Sequence, residues 1–120
     1  MTPTTFRRLA LRVPGVVEQQ HMNHPDFRVG GRIFATLGYP ARGWAMIKLP
    51  LEEQEFFARA APDAFVVVKG AWGRQGATSV ILAAAKQPAV RAALEAAWRC
   101  AASHPPKGQA KKKVRVARRR

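Results

Sequence analysis

Apolar and polar positions divide the chain into stretches of helical and strand period. Phe6, Leu9, Ala10 and Val13 recur at helical spacing, with Arg7, Arg8 and Arg12 outside that face. Thr2-Pro3 ahead of them is an N-cap and first-turn pair, and Pro14-Gly15 is a stop, so a helix is expected over residues 2–13. Strand signals follow. Residues 16–22 are a short segment that alternates only in part, and Asn23-His24-Pro25-Asp26 has the composition of a turn. Phe27-Arg28-Val29 alternates, and Gly30-Gly31 then marks a tight hairpin into residues 32–37. A period of two in that strand places Ile33, Ala35 and Leu37 on one face and Arg32, Phe34 and Thr36 on the other. Residues 38–43 read as a loop. Residues 44–49 read as a strand with Trp44, Met46 and Lys48 opposite Ala45, Ile47 and Leu49.

The second half begins with a helix. Pro50 sits at its start, Glu52, Glu53 and Glu55 occupy its first turns, where the helix dipole favours them, and Leu51, Phe56 and Phe57 supply its apolar face. Ala61-Pro62-Asp63 ends it. Residues 65–69 (FVVVK) form a strand, residues 70–76 a glycine-rich loop holding Trp72, and residues 77–84 a further strand. Gln87–Ala102 is the longest helix, with Val90, Ala93, Leu94, Ala97 and Trp98 on one face, and Ser103-His104-Pro105-Pro106 breaks it. Trp44, Trp98, Phe34, Phe56 and Phe57 are expected in the core. The order is α-β(3)-α-β(2)-α. Tight turns favour an antiparallel sheet, and three helices cover one of its faces, so the expected fold is an α+β two-layer sandwich.

Composition narrows the class. A chain of 120 residues, 48% hydrophobic, builds one core and is not a disordered segment. It contains no run of 18 apolar residues, and its start lacks the apolar stretch of a signal peptide. The one cysteine, Cys100, excludes a disulfide framework and an all-cysteine metal site within the chain. A cytoplasmic location is expected. Abundant alanine, with 14 arginines against seven lysines, is the bias of a GC-rich bacterial genome.

Charge changes the picture most. The net charge is +14, and eight of the 21 basic residues lie from Lys107 onward with no acid among them. The chain is therefore expected to divide into a mildly basic domain, residues 1–103, and a flexible, disordered basic tail, residues 104–120. Lys107, Lys111, Lys112, Lys113, Arg115, Arg118, Arg119 and Arg120 can neutralise phosphates and release counterions, with a salt slope reaching about −7 if all engage. Their ordinary reading is a solvated charge run that maintains solubility. The tail holds no aromatic residue for stacking on single strands, and it would contact backbone rather than sequence.

Three blocks carry a resemblance. HPDFRVGGRIFATL from His24, then GWAMIKLPLEEQ, then AFVVVKGAWGRQGATSVIL occur in order ahead of a helix through AALEAAWR. The chain resembles the MmcQ/YjbR family of small bacterial proteins over everything ahead of the tail. That resemblance implies a two-layer α-β(3)-α-β(2)-α fold like that of secretion chaperones. It also implies a DNA-binding label that rests on fold and exposed loops, and no enzymatic activity.

Candidate sites in the folded part are few. Trp72-Gly73-Arg74-Gln75-Gly76 projects Arg74 and Gln75, both readers of phosphates and base edges. With the hairpin of residues 27–34 it would form paired wings over a duplex groove. The structural alternative, which is preferred, has Trp72 plugging the end of the sheet and the glycines allowing a turn. No Gly-Lys-Ser/Thr follows, so a Walker-type phosphate loop is excluded. Arg28 and Arg32 flank the hairpin turn. Lys48, before Pro50, contacts phosphate or pairs with Glu52 or Glu53; for Lys48 and for the hairpin arginines the ordinary reading is a solvated charged face. His21, His24 and Asp26 have a spacing that suits metal, but turn chemistry explains them better, with His24 bonding backbone; no metal or cofactor is expected. Ser79 has no catalytic partners in the pattern and Cys100 no activating base, so no enzyme is expected. The leading function is a non-enzymatic DNA-binding protein. The alternative is a protein-interaction, chaperone-like module or homodimer using the open sheet face or an edge strand, with Phe34 or Trp44 contributing an apolar patch.

Overall fold

The computed structural model describes residues 1–104, so the basic residues from Lys107 onward lie outside the described part. The elements in chain order are α1 (Pro3–Ala10), β1 (Val17–His21), β2 (His24–Val29), β3 (Arg32–Leu37), β4 (Trp44–Lys48), α2 (Leu51–Ala60), β5 (Phe65–Val67), α3 (Ala71–Arg74), β6 (Ala77–Ile81) and α4 (Gln87–Ala102). The strands form one antiparallel sheet in the order β1-β2-β3-β4-β6-β5. α4 lies across β2, β3 and β4. α1 packs on β3 and α4, and α2 on β5 and α4. This is the expected α+β two-layer arrangement.

The helical layer encloses the core because one face of each central strand is apolar. Ala35, Leu37, Ala45, Ile47 and Val80 lie beneath Val90, Ala93, Leu94 and Ala97 of α4, with Phe6, Phe27 and Phe65 fully buried beside them. Burial of a large apolar side chain contributes about 1.5–3 kcal/mol, so these rows dominate the stability of the domain. α1 begins as expected: Thr2 Oγ1 accepts from Thr5 N at 3.1 Å. Trp98 is only half-buried; its indole Nε1 donates to Pro14 O at 2.8 Å and so ties α4 to the turn after α1. No helix among the described residues is long and apolar enough to cross a membrane.

Four local readings need correction. The sheet has six strands rather than five, because residues 17–21 pair fully with β2. Their turn is Met22-Asn23, with φ of 51° and 67°, and His21 pairs with His24 across it. A type I′ hairpin has positive φ at both central residues; Asn tolerates this, Met seldom adopts it, and the composition of His24-Pro25-Asp26 obscures the turn. Those three residues are strand. Residues 71–74 form a short helix rather than an open loop.

The fourth correction moves a large side chain across the sheet. Phe27 pairs with Ala35, but Arg28 pairs with Ile33, so Phe34 is an extra residue in β3. A bulge of this kind breaks strict alternation. Phe34 joins the core at 1% exposure instead of lying beside Arg32 and Thr36 on the open face. In α2 the surprise is similar. Leu51 and Phe56 are 57% and 61% exposed, and the polar Gln54 is buried beside Phe57. Gln54 Nε2 lies 2.9 Å from Gly73 O, 3.1 Å from Ala77 O and 3.2 Å from Thr78 Oγ1, which explains its burial.

Candidate functional site

One end of the sheet collects the tip of the β2–β3 hairpin, the end of β4, the start of β6, α3 and the last turn of α4. A cleft of about 550 Å³ opens there. Arg28 and Arg32 line it from the hairpin, Lys48 from β4, Arg74 and Gln75 from α3 and the turn after it, and His104 from the end of α4. All five candidates from the folded part are thus brought together. Gly30 and Gly31, with φ of 59° and 79°, make the tight turn that carries the hairpin arginines.

The charge of this cleft is one-sided. No carboxylate is among its lining side chains. The ion pairs of arginine or lysine among the described residues are Arg7–Glu18, Arg28–Asp26 and Arg59–Glu55, and His21 contacts Asp26. Arg32, Lys48 and Arg74 therefore have no acidic partner there, and Lys48 does not pair with Glu52 or Glu53. Arg32 Nε is buried and finds no acceptor among the described residues. A buried guanidinium donor without a partner is costly, and an anion entering the cleft would relieve that cost.

Arg28 is different from the other three. Its Nε donates to Asp26 Oδ1 at 2.7 Å and its Nη2 to Asp26 Oδ2 at 3.0 Å, a bidentate pair. Asp26 is fully buried and also accepts from His21 Nδ1 at 2.7 Å. The carboxylate accepts only, so Nδ1 carries the proton of that bond. The Arg28 guanidinium holds the Asp26 carboxyl below its ordinary value, with His21 adding to the effect against the opposing influence of burial. A depressed native pKa stabilises the fold above the ordinary carboxyl value of 3.8 and loses that contribution as the pH falls through the native value. Asp26→Asn is accordingly expected to cost about 2 kcal/mol at neutral pH, the scale of lost hydrogen bonds to charged groups. Urea titrations at pH 7 and pH 3 should show the variant's deficit shrinking at the lower pH.

The His21–Asp26 contact is a hydrogen bond, and the described residues hold no group of three or more potential metal ligands. His24 stacks edge-on against Tyr39, with centroids 5.7 Å apart, rather than bonding backbone. Trp72 does not plug the sheet: it is 56% exposed and leans on Tyr39 at 6.5 Å. Cys100 and His104 both line the cleft, but His104 Nδ1 meets the Cys100 carbonyl at 2.8 Å, not its sulfur. Reading the sequence alone missed His104. It belongs to no motif, and only the packing of α4 on the sheet brings it to this end.

The described residues define an α+β domain with helices on one face of an antiparallel sheet and a cationic cleft at one end. The chain belongs to the YjbR family, whose family model matches residues 11–100. No curated protein and no solved structure matches it.

Proposed function

We propose that the chain is a non-enzymatic nucleic-acid-binding protein, of which DNA is the expected partner, and that the cleft binds phosphates. The observation that carries this reading is the unpartnered buried Nε of Arg32 in a cleft shared with Lys48 and Arg74 and free of carboxylates. Phosphate oxygens suit such a site. They are strong acceptors, and guanidinium binds them in planar, bidentate fashion. The hairpin tip and the α3 segment both line the cleft, so one phosphate backbone can meet cations from each. The basic residues from Lys107 onward follow shortly after His104 in sequence and add sequence-independent affinity.

Fluorescence anisotropy with a short duplex, over a range of salt concentrations, separates the two contributions. Full-length protein is compared with a version ending at His104, which keeps the cleft lining whole. Removing the eight tail charges is expected to flatten the salt slope by up to about 7 while leaving measurable duplex binding at low salt. Complete loss of binding on truncation would assign the affinity to the tail and overturn a phosphate role for the cleft.

The protein-interaction reading has weaker support. Phe34 is in the core and Trp44 is half-buried; of the two edge strands, β5 has only three residues and β1 five.

A further inference from the structure

A second cavity, of about 250 Å³, opens on the sheet face that the long helices leave uncovered. It shares Ile33, Phe34, Lys48 and Gln75 with the cationic cleft as lining residues, so the two are neighbours. Trp72, Met46 and Ile33 supply apolar wall, and Thr36, Gln75 and His21 supply polar atoms. Thr36 is 1% exposed, yet its Oγ1 has no partner among the described residues. His21 commits Nδ1 to Asp26, which leaves Nε2 for another group. Trp72 is backed by Tyr39 and presents a largely exposed indole.

We propose that this cavity receives an unpaired base of a single-stranded nucleic acid. The base lies against Trp72, and the adjoining phosphate lies on Lys48 and Arg74 in the cleft. The inference rests on the phosphate-binding reading above and extends it to the kind of strand preferred. Phosphate alone would use the cations and ignore an exposed indole. A base needs both a flat apolar partner and edge-on donors and acceptors, which the hydroxyl, amide and imidazole supply. Base faces within a duplex are covered by their neighbours and cannot stack on a side chain. An exposed tryptophan beside a cationic groove is the arrangement by which sequence-tolerant single-strand binders work.

The test uses the full chain and four probes: a fluorescent oligothymidine strand, its abasic counterpart, a duplex, and thymidine monophosphate as competitor. Trp72→Ala is expected to weaken binding of the oligothymidine roughly tenfold, the scale of one lost base stack, and to leave abasic and duplex binding within about twofold. Trp72→Phe should restore most of the loss. Equal losses on the strand and its abasic form, or no loss on either, would overturn the base pocket while leaving phosphate binding intact. Competition by the monophosphate as effective as that by the strand would give the cavity to free nucleotides and defeat the proposal. Failure of the unaltered chain to bind any nucleic-acid probe would remove the phosphate reading first, and this inference with it.

Discussion

Gly73→Ala is expected to destabilise the domain by about 3 kcal/mol, the upper end of overpacking costs, and to lower Tm by more than about 10 °C. A Cβ on Gly73 would lie 1.6 Å from Val68 O and 2.7 Å from Val68 C, so backbone must move. The surroundings resist that movement. Gly73 O accepts from Gly76 N and from Gln54 Nε2, and Val68 N donates to Ala77 O. Gly76 O in turn accepts from Leu49 N at 2.9 Å. Shifting Gly73 therefore strains the joint between α2, α3, β4 and β6 together. Gly70→Ala is the matched control: it has φ of 85°, but nothing lies within 4 Å of its added Cβ. Its cost is the backbone alone: φ of 85° with ψ of −157° is a conformation that almost only glycine adopts, about 1–3 kcal/mol. Thermal or urea unfolding checks both variants, and a Gly73 variant destabilised by less than about 1 kcal/mol would refute the steric argument.

Neutralising the cleft should have the opposite effect on stability. The combined variant Arg32→Gln, Lys48→Gln, Arg74→Gln is expected to bind duplex about 100-fold more weakly near 0.1 M salt, from roughly 1 kcal/mol per lost charge-assisted contact after screening. Its unfolding midpoint should stay level or rise. In the free protein the three cations line one cleft without an acid, and Arg32 Nε is buried without an acceptor. Removing them relieves repulsion and an unsatisfied donor, the behaviour of groups placed for a partner rather than for the fold. Residues that served packing would lower stability on replacement.

Much of this architecture is legible in the amino-acid sequence where local signals agree. The bounds of Gln87–Ala102 follow from a long helical period and a Ser-His-Pro-Pro stop, and the Trp44–Lys48 alternation assigns both faces of β4 correctly. Errors arise where tertiary structure overrides local pattern. The bulge at Phe34 is invisible to a period-two reading, because Arg32–Leu37 alternates acceptably in either phase. Gln54 reads as a solvated helix position, since nothing local reveals the carbonyls of Gly73 and Ala77 that bury it. For the candidate site, turn chemistry singled out Arg28, Arg32, Arg74 and Gln75, and the strand end before Pro50 singled out Lys48. The Asp26 pairing that occupies Arg28, and the openness of the cleft beside Arg32, depend on strand register and on where α4 ends.

The most direct test of phosphate binding by the cleft is the salt dependence of duplex affinity for the full-length triple variant against the unaltered chain. Each phosphate contact contributes about 0.9 to the slope of log K against log salt concentration, so the variant's slope should be shallower by about 3. An unchanged slope with unchanged affinity would contradict the account and show that Arg32, Lys48 and Arg74 do not meet phosphates.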